Sequence, residues 1–140
     1  MVDYELIQEW FRKADNDCRV AEFLFQLHPV PMDIICFHCQ QAVEKWLKGY
    51  QVSKGISEPS KIHDLNKLLK QCIEFDTRFS QLVEECSALS DFGIIPRYPD
   101  EFEVTEHDVR RAFEHATAVK NFAPLLELRG AVAGYSESGE

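Results

Sequence analysis

No apolar run in this chain approaches the roughly 18–20 residues that a membrane-spanning helix needs, so no membrane insertion is expected. Basic residues are scarce. The 15 Lys and Arg stand against 24 Asp and Glu, for a formal net charge of −9. Phosphate binding needs clustered Lys and Arg, so neither a general electrostatic grip on nucleic acid nor DNA as a partner is expected. Any contact with a nucleotide or RNA has to be local, and the acidic surface leaves room for a basic protein partner. Strand-like alternation of useful length is absent, as is any internal repeat. The opening Met1-Val2-Asp3-Tyr4-Glu5 carries neither the basic region nor the apolar segment of a secretory signal, which points to the cytoplasm. The five cysteines, Cys18, Cys36, Cys39, Cys72 and Cys86, are odd in number and sit among apolar positions, as free buried thiols of a reducing compartment would.

What the chain does have is helical periodicity. At 140 residues, 45% of them hydrophobic and ten of them Phe, it can build one core. Ile7, Trp10, Ala14, Cys18, Ala21 and Leu24 keep a 3–4 spacing and predict a helix over residues 3–27, ended by His28-Pro29-Val30-Pro31. Pro31 and Asp33 suit the first turn of a second helix, which runs to about Ser53, with Gly55 as its stop. Leu65, Leu68, Leu69 and Cys72 mark a short helix at 64–74. Phe79, Leu82, Val83, Cys86 and Leu89 mark another at 77–91, with Asp76 as its N-cap. After a loop at 92–104, Thr105 and Asp108 form a capping box flanked by Val104 and Val109. Val109, Ala112, Phe113, Ala116, Val119, Ala123 and Leu126 then continue a long stripe that Pro124 should kink or fray. The expectation is an all-α, antiparallel up-and-down bundle of four long helices and one short one. It forms a single domain over residues 1–128, followed by a flexible Gly- and Ser-rich tail at 129–140.

The second helix carries two faces. Cys39, Ala42, Val43, Trp46 and Tyr50 form the buried stripe, while His38, Gln41 and Lys45 form a polar one about 120° away. A His with a Lys can hold a phosphate or carboxylate; the plainer reading is that they flank a helix–helix or dimer contact. In the 92–104 loop, Arg97 offers a planar fork for phosphate and Tyr98 a ring for stacking on a base. The alternative is that Tyr98 packs the loop down and Arg97 pairs with an acid. His63 and Asp64 read as a loop residue and a helix cap. Cys36 and Cys39 bracket His38, but no further ligands lie at zinc spacing, and a redox motif would need a strand-to-helix context. No metal or cofactor is therefore expected. The acidic groups at Asp15, Asp17, Glu84, Glu85, Asp100, Glu101 and Glu103 read mainly as solvated faces.

These residues together resemble a small prokaryotic HEPN domain. The resemblance rests on Trp10, Ala14, Asp17, Ala21 and Leu24 in the first helix and on the run Phe37-His38-Cys39-Gln40-Gln41-Ala42-Val43-Glu44-Lys45-Trp46-Leu47-Lys48. It rests further on His63-Asp64-Leu65 after a Pro-containing loop and on Arg97-Tyr98-Pro99-Asp100 before the last helix. It covers about residues 5–127 in the expected order. The resemblance implies a five-helix bundle, usually a homodimer, with a role near nucleotides or RNA. It also implies a nucleotidyltransferase partner, often in a toxin–antitoxin pair. Active ribonucleases of that family resemble one another in an Arg followed, after four to six residues, by His. Arg110 and His115 satisfy this spacing. Cleavage would then be metal-independent, with His in proton transfer and Arg on the phosphate charge. On a regular helix those two side chains diverge by about 140°. Arg111 and His115 share a flank but break the spacing. The binding reading therefore rests on His38, Gln41, Lys45, Arg97 and Tyr98, the ribonuclease reading on Arg110, Arg111 and His115, and a pure scaffold is the third possibility.

Overall fold

The computed structural model describes residues 2–56, 58–93 and 103–137. Among these there are six α-helices: α1 (Tyr4–Leu24), α2 (Met32–Ser53), α3 (Leu65–Phe75), α4 (Val83–Leu89), α5 (Glu106–Lys120) and α6 (Ala123–Glu137). 3-10 segments occupy Pro59–Lys61, Thr77–Leu82 and Ser90–Phe92. The result is the expected helical bundle, with one more helix than the periodicity suggests.

Local chemistry accounts for the helix starts. Asp3 caps α1 by accepting from the Leu6 N–H at 3.0 Å. Asp64 caps α3 through the Asn66 and Lys67 N–H groups. At α5 the capping box is complete: Thr105 Oγ1 accepts from the Asp108 N–H at 3.1 Å, and Asp108 accepts from the Thr105 N–H at 2.9 Å. That second bond, with the Thr105 hydroxyl, holds the Asp108 carboxyl below its ordinary range. Gly55, at φ 91°, takes the left-handed backbone that ends α2.

Helix α2 is the axis of the fold. It packs on α1 along most of its length and is also covered by α3, α4, α5 and the 3-10 turns. Its predicted stripe is buried throughout. So, however, are Gln40, Glu44, Lys48 and Gln51, which follow a line of their own along the helix. The α1 stripe is rotated from the predicted one. Ile7, Phe11, Ala14, Asp17 and Ala21 are buried, while Trp10, Cys18 and Leu24 lie at the margin. The contact with α2 is close at Gly49, where a Cβ would stand 2.7 Å from the Phe11 ring.

Two further features differ from expectation. The segment predicted as one helix at 77–91 is α4 flanked by 3-10 turns; Phe79, Leu82, Cys86 and Leu89 are buried as the spacing requires, but Val83 is exposed. The larger difference concerns the C-terminal region. Pro124 does not kink a continuous helix. Instead α5 stops at Lys120, the chain turns at Asn121 and Phe122, and Pro124 occupies the first turn of α6, where its missing N–H costs nothing. Residues 129–137, expected as a flexible tail, are the body of α6. Leu125 and Val132 enter the core in place of Ala123 and Leu126. Helix α6 folds back on α1: Arg129 makes a two-pronged bond to Asp15 at 2.8 and 2.9 Å, Tyr135 stacks on Tyr4 at 4.7 Å, and Gln8 donates to Ser136. Arg78 adds a bridge, binding Asp76 at 2.7 Å and Glu127 at 2.9 Å.

Gly49→Ala tests the α1–α2 contact. Alanine is favoured over glycine in a helix by about 1 kcal/mol, but forcing a methyl into a packed core costs about 1–3 kcal/mol. The ring of the buried Phe11 has little room to retreat. The expected outcome is net destabilisation, read as a lower urea midpoint with an unchanged slope.

Candidate functional site

The predicted stripe at His38, Gln41 and Lys45 lies at the half-buried seam between α1 and α2. Asp17 of α1 reaches across this seam. One carboxylate oxygen meets His38 Nδ1 at 2.8 Å and the other accepts from Lys45 Nζ. His38 and Lys45 are thus brought together through Asp17, whose functional weight was not legible while it counted among solvated acids. An imidazole held at Nδ1 by a carboxylate has its tautomer and orientation set, which leaves Nε2 for another partner. Among the described residues, His38 Nε2 makes no hydrogen bond. Gln41 does not join this group and donates instead to Gln40 Oε1 at 2.7 Å.

A second group of the same composition lies further along α2. Glu44 Oε2 accepts from Lys48 Nζ at 2.9 Å and lies 3.2 Å from His63 Nδ1. Gln40 Nε2 reaches Glu44 Oε1 at 3.5 Å, which links the group to Gln41. Glu44 and Lys48 are 3% and 2% exposed. Sequence reasoning passed over them because Glu and Lys four residues apart are the usual mark of a solvated helix face. The available signal was position: they fall beside the core stripe of a helix enclosed by neighbours. Asp64 caps α3 as predicted, and His63 is more than the loop residue expected.

On α5, Arg110 turns outward and binds Glu106 at 2.6 Å, beside an apolar groove of about 500 Å³ lined by Phe25, Val30, Met32 and Val109. Arg111 and His115 face each other, with Nη2 and Nε2 3.4 Å apart. They line a small pocket of about 170 Å³ with Ala88, Asp91, Phe92 and Asp108, and Glu84 lies 3.6 Å from Arg111. Arg110 and His115 are therefore not brought together. Cys36, Cys39, Cys72 and Cys86 are buried. Burial pushes the thiols of Cys36, Cys72 and Cys86 up to about 12 and that of Cys39 upward too, so all four stay protonated and poorly suited to bind a metal or attack a substrate. Arg97 and Tyr98 lie outside the described residues.

The family model for the HEPN domain matches residues 7–126. The chain belongs to the HEPN family. No curated protein and no solved structure matches it. Membership supports a role connected with nucleotides or RNA, either as a binding module or as a ribonuclease. No helix among the described residues of this HEPN protein is long and apolar enough to cross a membrane.

The buried Glu44–Lys48 pair gives a sharp stability test. Removing one partner of a buried ion pair strands the other charge and costs about 3–5 kcal/mol. Glu44→Ala is expected to fall in that range by urea unfolding. The exposed Arg110–Glu106 pair, broken by Glu106→Ala, is expected to cost less than about 1 kcal/mol.

Proposed function

We propose that this HEPN protein is a homodimeric module that binds a nucleotide or RNA phosphate and associates with a nucleotidyltransferase-like partner, in a pair of toxin–antitoxin type. The observation that carries the reading is the Asp17-centred group. Asp17 fixes both His38 and Lys45 at a seam where each keeps about a quarter of its side chain exposed (24% and 22%). A phosphate oxygen placed there would accept from the Nε2–H of a protonated His38 and from the remaining protons of Lys45, with little rotamer entropy left to lose. Arg97 and Tyr98 supply the bidentate fork and the stacking ring in this reading. Isothermal titration with AMP tests it: His38→Gln and Arg97→Ala are each expected to weaken binding about tenfold, the equivalent of about 1.4 kcal/mol, with the melting temperature essentially retained. Isotherms identical to wild type for both variants would overturn it. Sedimentation velocity tests the dimer.

A second reading is favoured by one contact, Arg111 against His115 in a concave pocket. A positioned His beside an Arg is the minimum for metal-independent RNA cleavage. Purified protein incubated with RNA and a chelator is expected to cleave under this reading and to lose at least about a hundredfold in rate on His115→Ala. Cleavage that survives the substitution removes these residues from consideration.

A further inference from the structure

The sequence allows only a local contact with phosphate, and charge is in fact segregated along this chain. Six of its eight lysines fall between Lys45 and Lys70, against two acidic residues, Glu58 and Asp64, in a chain of net charge −9. Two of the six are engaged: Lys45 by Asp17 and Lys48 by Glu44. Lys54 lies over the Tyr50 ring. Lys61, Lys67 and Lys70 are exposed and make no ion pair among the described residues. His63 stands between the first two, at the entry to α3, with 74% of its side chain exposed.

We infer that the connection from α2 into α3, through Lys61, His63 and Lys67, is a contact surface for the backbone of single-stranded RNA, separate from the Asp17-centred site. This inference rests on the proposed nucleotide or RNA role. Lys61 and Lys67 supply point charges for successive phosphates. His63 supplies the discrimination. Its Nδ1 is turned to the buried Glu44, which Lys48 fixes in place, so Nε2 faces outward. In the neutral imidazole, Nδ1–H donates to Glu44 and Nε2 accepts from a ribose 2′-hydroxyl. In the protonated form, Nε2–H donates to a phosphate oxygen. Glu44 and Lys48 are positioning residues here, since both are too buried to touch RNA. The surface also lacks what a protein partner needs at the centre of an interface: none of the large apolar side chains found exposed falls between residues 54 and 70. The burial of an ion pair beneath an exposed His, which contributes little to stability, has a use in this arrangement.

Fluorescence anisotropy with the full chain tests this, using a short labelled single-stranded RNA and the DNA of the same sequence. Wild type is expected to bind RNA more tightly than DNA. Lys61→Glu with Lys67→Glu should weaken both by about tenfold or more at low salt and reduce the slope of log K against log salt by about 1.4, two single-strand phosphate contacts. His63→Ala should abolish the RNA–DNA difference. In wild type, the imidazole nitrogen shifts of neutral His63 should report the Nδ1-protonated tautomer. RNA binding that is unchanged in the lysine variant overturns the surface. An RNA–DNA difference that survives His63→Ala, or an Nε2-protonated tautomer, overturns the role of His63. Binding of AMP without binding of RNA overturns this inference and leaves the Asp17-centred reading standing, whereas binding of neither removes both. Capture of a poly-glutamate peptide in place of RNA, with the same sensitivity to the lysine variant, would reassign the surface to an acidic protein.

Discussion

The enclosure of α2 is the constraint on which the rest of the structure depends. A helix covered by neighbours on nearly all sides leaves few of its polar residues to water, so the buried ones turn to partners within the protein. Gln51 turns to Gln71 and the Leu68 carbonyl, Gln40 serves Gln41 and Glu44, and Lys48 neutralises Glu44. Each of these bonds fixes a side chain in one place. The enclosure that forms the core therefore also turns flexible polar side chains into fixed ones, which a recognition surface needs.

The two carboxylate-centred groups follow from the same cause in different degrees of burial. Asp17 reaches over from α1 to a seam still partly open to solvent, and both the His and the Lys it holds keep exposed surface. Glu44 lies deeper, so its Lys is sealed and only its His emerges. One design, a carboxylate shared by an ammonium and an imidazole, thus yields a two-point cation–imidazole site at the seam and a single oriented imidazole at the rim.

The fold was legible where contacts are local and less so where they are not. The capping box at Thr105 and Asp108, the Asp64 cap, the Gly55 stop and the stripes of α2 and α3 were readable because each depends on residues a few positions apart. The membership in the HEPN family was readable for a similar reason, through ordered short motifs. The rotation of the α1 stripe was not, because Phe11 is drawn inward by a glycine on another helix. Glu44 and Lys48 resisted reading because their spacing is that of a solvated pair, and nothing in a sequence window reports that neighbouring elements enclose them. Asp17 was visible as a family-matching residue but its partners lie on α2. Arg111 and His115 were predicted to share a flank and do so, since that is helix geometry alone.

Helix α6 was the least legible element, with glycines at 130 and 134 and few strong apolar positions, and it is held by residues at the opposite end of the sequence. That dependence has a temporal side. Synthesis proceeds from the N-terminus, and the first helix can pair with α2 early. Its Asp15, however, meets Arg129 only when nearly the whole described chain has emerged from the ribosome, and Tyr4 waits longer still for Tyr135. Of the described helices, α1 is made first and completed last.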